Sequence, residues 1–377
     1  MKKIFLLLSL FIALHLFSQK NQHVVYGEKT TYYKPSENVL GLFLDKNGDY
    51  YPDDFIADKD LIACNASLEE FYKNNSNKFI EIAKKYGLQL NEYSDTNYII
   101  FQDVLAREKV EIINKFQKNS NLFVLIHGFR KPFIKEGRST TSMEDYGYLR
   151  NGIENIHQDN SNTKFLEIYW DGMFDSFFGE NGGSLDDVFK LFENKAQQNA
   201  VKTGYALRKI IPNIDAKQYN IITHSLGAQV GVSLLTNTYD DKISKIYQQL
   251  KTPSQSEINI CLVAPAMSAK PFLDYYKRST NINFEKKDNY NLSILFNEKD
   301  LVLNKKWGFF GPGPRKYGDT SLGCNYENEI GLLQNMFTEK FKNSTLKIYD
   351  TSVNKDHRIK NYVKTINFQN YIKEIEK

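Results

Sequence analysis

Apolar and polar positions alternate in two different textures along this 377-residue chain. From residue 121 onward, short unbroken apolar runs are bounded by Gly, Asn and Asp: Leu122–Ile126, Phe165–Trp170, Tyr219–Ile222, Ile258–Val263, Leu292–Phe296 and Leu346–Tyr349. Helical spacing fills the intervals near 186–210, 226–236, 241–250 and 361–376. Strands without polar alternation are buried on both faces, and strands interleaved with helices build a parallel sheet, so the expected class is α/β. Before residue 121 the texture is mixed. Residues 67–86 and 103–118 read as helices, the second from Val104, Val110, Ile112, Ile113 and Phe116 among charged neighbours. Val39–Leu44 followed by Asp45-Lys-Asn-Gly-Asp49 and Tyr50-Tyr51 reads as a β-hairpin, with Asn47-Gly48 supplying the positive-φ pair of a tight turn. Asp45, Asn47, Asp49 and Asp53 also have the spacing of a calcium loop. Tyr50 stands where such a loop needs Gly, however, and Ile56 where it needs a closing acid.

The first residues change the picture. Lys2 and Lys3 precede an apolar stretch, Ile4 to Phe17, broken only by Ser9 and His15, and polar sequence begins at Ser18. This is the layout of a secretory signal peptide over residues 1–18, short for a membrane span, which would direct the protein to the periplasm or the exterior; an uncleaved N-terminal anchor is the alternative. Residues 19–120 are then expected to form a hairpin and helical extension packed on a main domain over 121–377. With 26 Phe and 24 Tyr the chain can bury a sizeable core. The net charge of +4 falls to about +2 without the signal, which provides no general field for nucleic acid or an anionic membrane. Of the three cysteines, Cys261 lies inside an apolar run and reads as a buried small hydrophobe, while Cys64 and Cys324 could pair in an oxidising compartment. No CxxC pair or HExxH motif is present, and no metal site is expected.

Candidate chemistry centres on Tyr219-Asn-Ile-Ile-Thr-His-Ser-Leu-Gly-Ala-Gln-Val230. A buried strand runs into Thr223-His-Ser-Leu-Gly227 and a helix pattern follows at once, which is the setting of a nucleophile elbow with Ser225 at its apex. The turn is tight enough to demand small residues two positions either side; Gly227 satisfies this and Thr223 departs from it. A second element, Phe123-Val-Leu-Ile-His-Gly-Phe129, ends an apolar strand about 100 residues earlier. Acyl transfer creates an oxyanion that needs preorganised N–H donors. In such an elbow these come from the residue after the nucleophile, here Leu226, and from the loop after the earlier strand, here Phe129. A structural histidine at a strand-ending turn accounts equally for His127-Gly128. The serine needs a base and the base an orienter. Among six histidines, His357 remains after His15, His23, His127, His157 and His224 are assigned elsewhere. Asn291–Leu303 reads as a strand followed by a turn holding Glu298 and Asp300; Asp300, before an apolar run, is the preferred acid and Glu298 the alternative. Chain order supports the set: Ser225, Asp300 and His357 follow the order Ser, Asp, His.

Residues 121–360 resemble the α/β-hydrolase superfamily, through Val124-Leu-Ile-His-Gly-Phe129 and Thr223-His-Ser-Leu-Gly227. Together with Tyr169-Trp-Asp-Gly172, these motifs are similar to a bacterial branch of uncharacterised serine hydrolases. The resemblance implies a mostly parallel sheet of about eight strands with helices on both faces, a Ser–His–Asp triad of Ser225, His357 and Asp300, an oxyanion hole at Phe129 and Leu226, and no cofactor. His127, Gly128, His224, Trp170 and Asp171 then border the substrate. Trp170, Phe174, Phe177 and Phe178 either line an acyl pocket at the carboxyl edge of the sheet or pack as core, and the long loop 304–344 could cap the site. The expected reaction is hydrolysis of a small-molecule or lipid ester, as in esterases and lipases. A peptidase or amidase on the same triad, or a binding protein of the same fold, are the alternatives.

Overall fold

The computed structural model describes residues 36–52, 67–118, 120–129, 131, 140–156, 162–172, 192–216, 218–235, 257–270, 272, 290–304, 321–340, 345–352 and 355–375. The signal segment, Cys64 and hence its pairing with Cys324, the helix expected at 241–250, Phe174, Phe177, Phe178, and the part of the long loop at 305–320 lie outside these residues.

Seven strands form one sheet: β1 Val39–Phe43, β2 Asn121–Ile126, β3 Thr163–Tyr169, β4 Gln218–His224, β5 Glu257–Val263, β6 Tyr290–Phe296 and β7 Thr345–Asp350. Their spatial order is β1-β3-β2-β4-β5-β6-β7, and every neighbouring pair is parallel. The α/β class is therefore as expected, with seven strands among the described residues against about eight from the resemblance. Each parallel step needs a crossover, and helices supply those that the structure describes. These are α1 Leu68–Asn74, α2 Ser76–Lys85, α3 Asp95–Gln117, α4 Ser142–Glu154, α5 Gln197–Leu207, α6 Gly227–Leu235, α7 Gly331–Lys340, α8 Ile359–Tyr362 and α9 Ile366–Ile375. The central strands β2, β4 and β5 are buried along almost their whole length, whereas β7 forms a half-exposed edge. Among the described residues no helix is long and apolar enough to cross a membrane.

Two departures from the sequence reading have local causes. The chain turns at Asn47-Gly48 with Gly48 at φ 85°, but Asn47 does not adopt positive φ, so the expected positive-φ pair does not form, and the return is a single antiparallel bridge between Leu44 and Tyr50. The hairpin stops there because β1 makes its ladder with β3 on the other side, from Val39 opposite Phe165 to Phe43 opposite Tyr169. Both oxygens of Asp45, a calcium-ligand candidate, are taken up by backbone amides: Oδ1 accepts from Asn47 and Asp49 (2.7 and 2.9 Å) and Oδ2 from Leu68 (2.7 Å). The 67–86 helix is broken at Asn75, whose non-helical backbone (φ −131°, ψ 58°) ends α1 and starts α2. Strand β1 and helices α1 to α3, expected to pack on the main domain, share one continuous core with it, from Leu42 through Phe101 to Ile372.

A polar row crosses the sheet. Asn220, Asn259 and Asn291 occupy matched positions on β4, β5 and β6, and Thr345 continues the row on β7. Asn259 Nδ2 donates to Asn220 Oδ1 (3.1 Å), Asn291 Nδ2 to Asn259 Oδ1 (2.9 Å), and Thr345 Oγ1 to Asn291 Oδ1 (2.6 Å). Parallel strands slip easily when every side chain is an interchangeable aliphatic, and a chain of buried amides is satisfied in one register only. Asn259→Ala leaves the buried Asn220 Oδ1 without its donor, whereas half-buried Asn291 keeps Glu257 Oε1 (2.7 Å), so it is expected to destabilise the protein by about 1–3 kcal/mol. Thr345→Val, at the exposed end, costs less than about 1 kcal/mol. Urea denaturation of the two variants checks the ranking.

Candidate active site

Ser225 sits at the abrupt junction between β4 and α6 and adopts φ 55°, one of two non-glycine residues described with positive φ. The conformation is held from several sides. The Ser225 amide donates to Val263 O (3.0 Å), and Ser225 O accepts from Ala228 N (3.1 Å) and Ala266 N (3.0 Å), which ties the turn to the chain leaving β5. Space explains the glycines around it. A Cβ at Gly227 would lie 2.5 Å from His127 O, and one at Gly128 would lie 2.8 Å from Ser225 Cβ and 3.4 Å from its Oγ. The structure also accounts for Thr223, the departure from the usual small residue. Its side chain is fully buried, with Oγ1 donating to Cys261 O (3.3 Å), and Gly231 on α6 faces it where a Cβ would come within 2.9 Å of Thr223 Cγ2. The missing small residue of the elbow is thus supplied one turn into the helix.

The ends of β2 and β3 close against this turn. Both ring nitrogens of His127 are engaged: Nδ1–H donates to Gly128 O (2.8 Å), and Nε2 accepts from the Trp170 amide (3.4 Å). Trp170 stacks on that ring at 5.5 Å and donates its indole N–H to His127 O (3.0 Å). His127 and Trp170 thus lock the two loops together and are buried in doing so. Asp171 is also buried, with its carbonyl taken by Asn199 Nδ2 (3.2 Å). The amides of Phe129 and Leu226, the two oxyanion-hole candidates, donate to no acceptor among the described residues. Leu226 immediately precedes the N-terminus of α6, where free N–H groups and the helix dipole favour negative charge.

At the carboxyl end of β6 the chain turns through Asn297–Asp300, and the Asp300 carboxylate is wholly buried. Its Oδ1 accepts from the amides of Val302 (2.9 Å) and Leu303 (3.1 Å). Its Oδ2 accepts from His357 Nδ1 (2.7 Å) and from the Tyr362 hydroxyl (2.8 Å). Burial by itself would raise this carboxyl. The His357 ring, its hydrogen bond, the Leu303 amide and the Tyr362 hydroxyl together hold it below the usual carboxylate range. Asp300 is therefore a carboxylate, which fixes His357 with hydrogen on Nδ1 and leaves Nε2 as its basic nitrogen. Glu298, the alternative acid, is exposed, and its amide caps on Ser352 Oγ. The His357 ring lies 4.9 Å from that of His224, the residue just before Ser225.

The structure thus brings Gly128 against Ser225 and joins Asp300 to His357 beside His224, but among the described residues no hydrogen bond links Ser225 Oγ to His357. The sequence reading missed Tyr362. Nothing in its local pattern marks it, since it lies five residues beyond His357 in the four-residue helix α8 and reaches Asp300 only through tertiary packing. A scan against protein-family models matches none, and a search of curated proteins finds no match.

The Asp300 contribution to stability has a definite sign. A carboxyl depressed in the folded state stabilises fully above its unfolded value, near 4, and loses that contribution as pH falls through the lower folded value. Asp300→Asn is expected to cost about 3 kcal/mol at pH 7 and distinctly less at pH 3. Urea denaturation at both pH values checks this, and an equal cost at both would contradict it.

Proposed function

We propose that the protein is an exported serine hydrolase of α/β-hydrolase type that cleaves a carboxylic ester through an acyl-enzyme. One observation carries the reading: Ser225 occupies a left-handed strand-to-helix turn, while a buried carboxylate, Asp300, holds Nδ1 of His357, whose ring lies against that of His224, the residue before the serine. A polar residue in a left-handed conformation at the carboxyl edge of a parallel sheet has a conformational cost that a plain connecting turn would avoid by using Gly.

In the proposed reaction His357 Nε2 takes the proton of Ser225 as its Oγ bonds to the ester carbonyl carbon. The carbonyl π electrons move to oxygen, and the N–H groups of Leu226 and Phe129 stabilise that oxyanion. Collapse breaks the bond to the leaving alkoxide, which receives the proton from His357. Water then adds to the acyl-enzyme with His357 again accepting a proton, and the second collapse releases the carboxylic acid and restores Ser225. Asp300 stays ionised throughout, holding the ring and stabilising the imidazolium.

A fluorophosphonate probe tests this reading. Ser225 Oγ would bond to phosphorus, fluoride would leave, and the serine proton would pass to His357. Labelling of the mature protein is expected, with none for Ser225→Ala and a rate lower by about 10³-fold or more for His357→Ala. A well-folded protein without labelling, or labelling that persists in Ser225→Ala, would refute it.

A further inference from the structure

His224 is the buried imidazole that the proposed chemistry leaves without a task. It closes β4, is almost fully buried, and sends its Nε2–H to the backbone carbonyl of His357 (2.9 Å) while its ring lies against the His357 ring at 4.9 Å and 35°. The chain around His357 is held locally by Asp356, whose carboxylate accepts from the Arg358 amide and guanidinium and from Asn361 Nδ2 (2.8 Å). Residues 355–358 belong to no helix or strand, and the other tether described from this segment to the sheet edge is the Leu301 amide on Lys355 O (3.3 Å). The Asp300 contact restrains the end of the His357 side chain, and the His224 contact restrains its backbone. Two restraints on one residue, at opposite ends of its side chain, fix both the position and the rotation of the imidazole.

We infer that His224 is a positioning residue: through its Nε2–H bond to the His357 carbonyl and its ring contact it clamps the base-bearing loop to the elbow that carries the nucleophile. This inference rests on the serine-hydrolase reading and gives the residue before the nucleophile a role apart from touching substrate. The device requires a neutral donor, because a cation stacked on His357 would oppose formation of the imidazolium. The charged and titratable groups facing His224 are His357, Lys131 (ion-paired to Asp145 at 2.7 Å), Asp300, and Tyr362 at 6.4 Å between ring centroids. Burial, with His357 and Lys131 acting in the same sense, holds the His224 imidazole well below its ordinary value and so keeps it neutral. Neither Leu nor Phe could donate from this position, whereas the Nε2 of Gln reaches a similar point.

The test measures the rate at which a fluorophosphonate modifies Ser225 in the wild type, His224→Leu and His224→Gln. A misplaced base slows reaction by about 10²-fold, so that loss is expected for His224→Leu, and His224→Gln is expected to return to within about tenfold of wild type. Wild-type rates in His224→Leu, or Gln no better than Leu, would overturn the inference and leave the hydrolase reading intact. Absence of labelling in the wild type would overturn both. A measurement on the unmodified protein covers the case of variants that do not fold. Nitrogen-15 NMR of the histidine rings is expected to show His224 as the Nε2–H tautomer without titration between about pH 5 and 8. The Nδ1–H tautomer, or a titrating ring, would overturn the inference.

Discussion

A residue with a side chain, Ser225, is held in a left-handed backbone conformation, and the neighbouring structure is shaped to make that possible. Such a conformation costs a non-glycine residue on the order of 1–3 kcal/mol, so it persists only where surrounding contacts over-determine it. Here the restraints are two backbone bonds to the chain around β5, through Val263 and Ala266, and one into α6 at Ala228. The close approach of His127, Gly128 and Gly172 then follows, because the turn leaves no room for side chains at positions 128 and 227. The polar row across β4, β5 and β6 sets the register that brings Val263 level with His224 and so presents its carbonyl to Ser225.

The second dependency is electrostatic. Asp300 is buried with four donors around it, and that full complement is what allows a carboxylate to remain charged without water. A charged Asp300 specifies the tautomer of His357, and the tautomer decides which nitrogen can accept a proton. Tyr362 and His224 act on this unit from outside, one on the carboxylate and one on the backbone of the base. The proposed hydrolytic role of Ser225 therefore depends on residues from β4, the β6 turn and the segment leading into α8, elements that meet at one edge of the sheet through its parallel order.

Much of this was legible in the sequence where local physics dominates. Unbroken apolar runs gave six of the seven strands within about two residues, and Thr223-His-Ser-Leu-Gly227 marked the turn because tight turns restrict residue size locally. The seventh strand, β1, was visible as a strand, but its partner was mistaken, since Asn47-Gly48 signals a turn and says nothing about where the ladder forms. Helix α4 went unread, although its capping box, Thr141 with Glu144, was in plain view, and so did α7, which occupies Gly331–Lys340 within the stretch 304–344 read as one loop. Asp300 and His357 came from chain order, and only the fold brings them to 2.7 Å. Tyr362, the compensating Gly231 and the His224 clamp depend on contacts between distant segments that no local pattern encodes.

The central claim, that Ser225 is an acyl-accepting nucleophile, is tested most directly by mass spectrometry of the protein mixed with p-nitrophenyl acetate and quenched at successive times. The account predicts an acetyl adduct confined to the peptide carrying Ser225, which forms together with a burst of p-nitrophenol and then decays as water releases acetate. No adduct, or one carried by another residue while Ser225 stays unmodified, would contradict it.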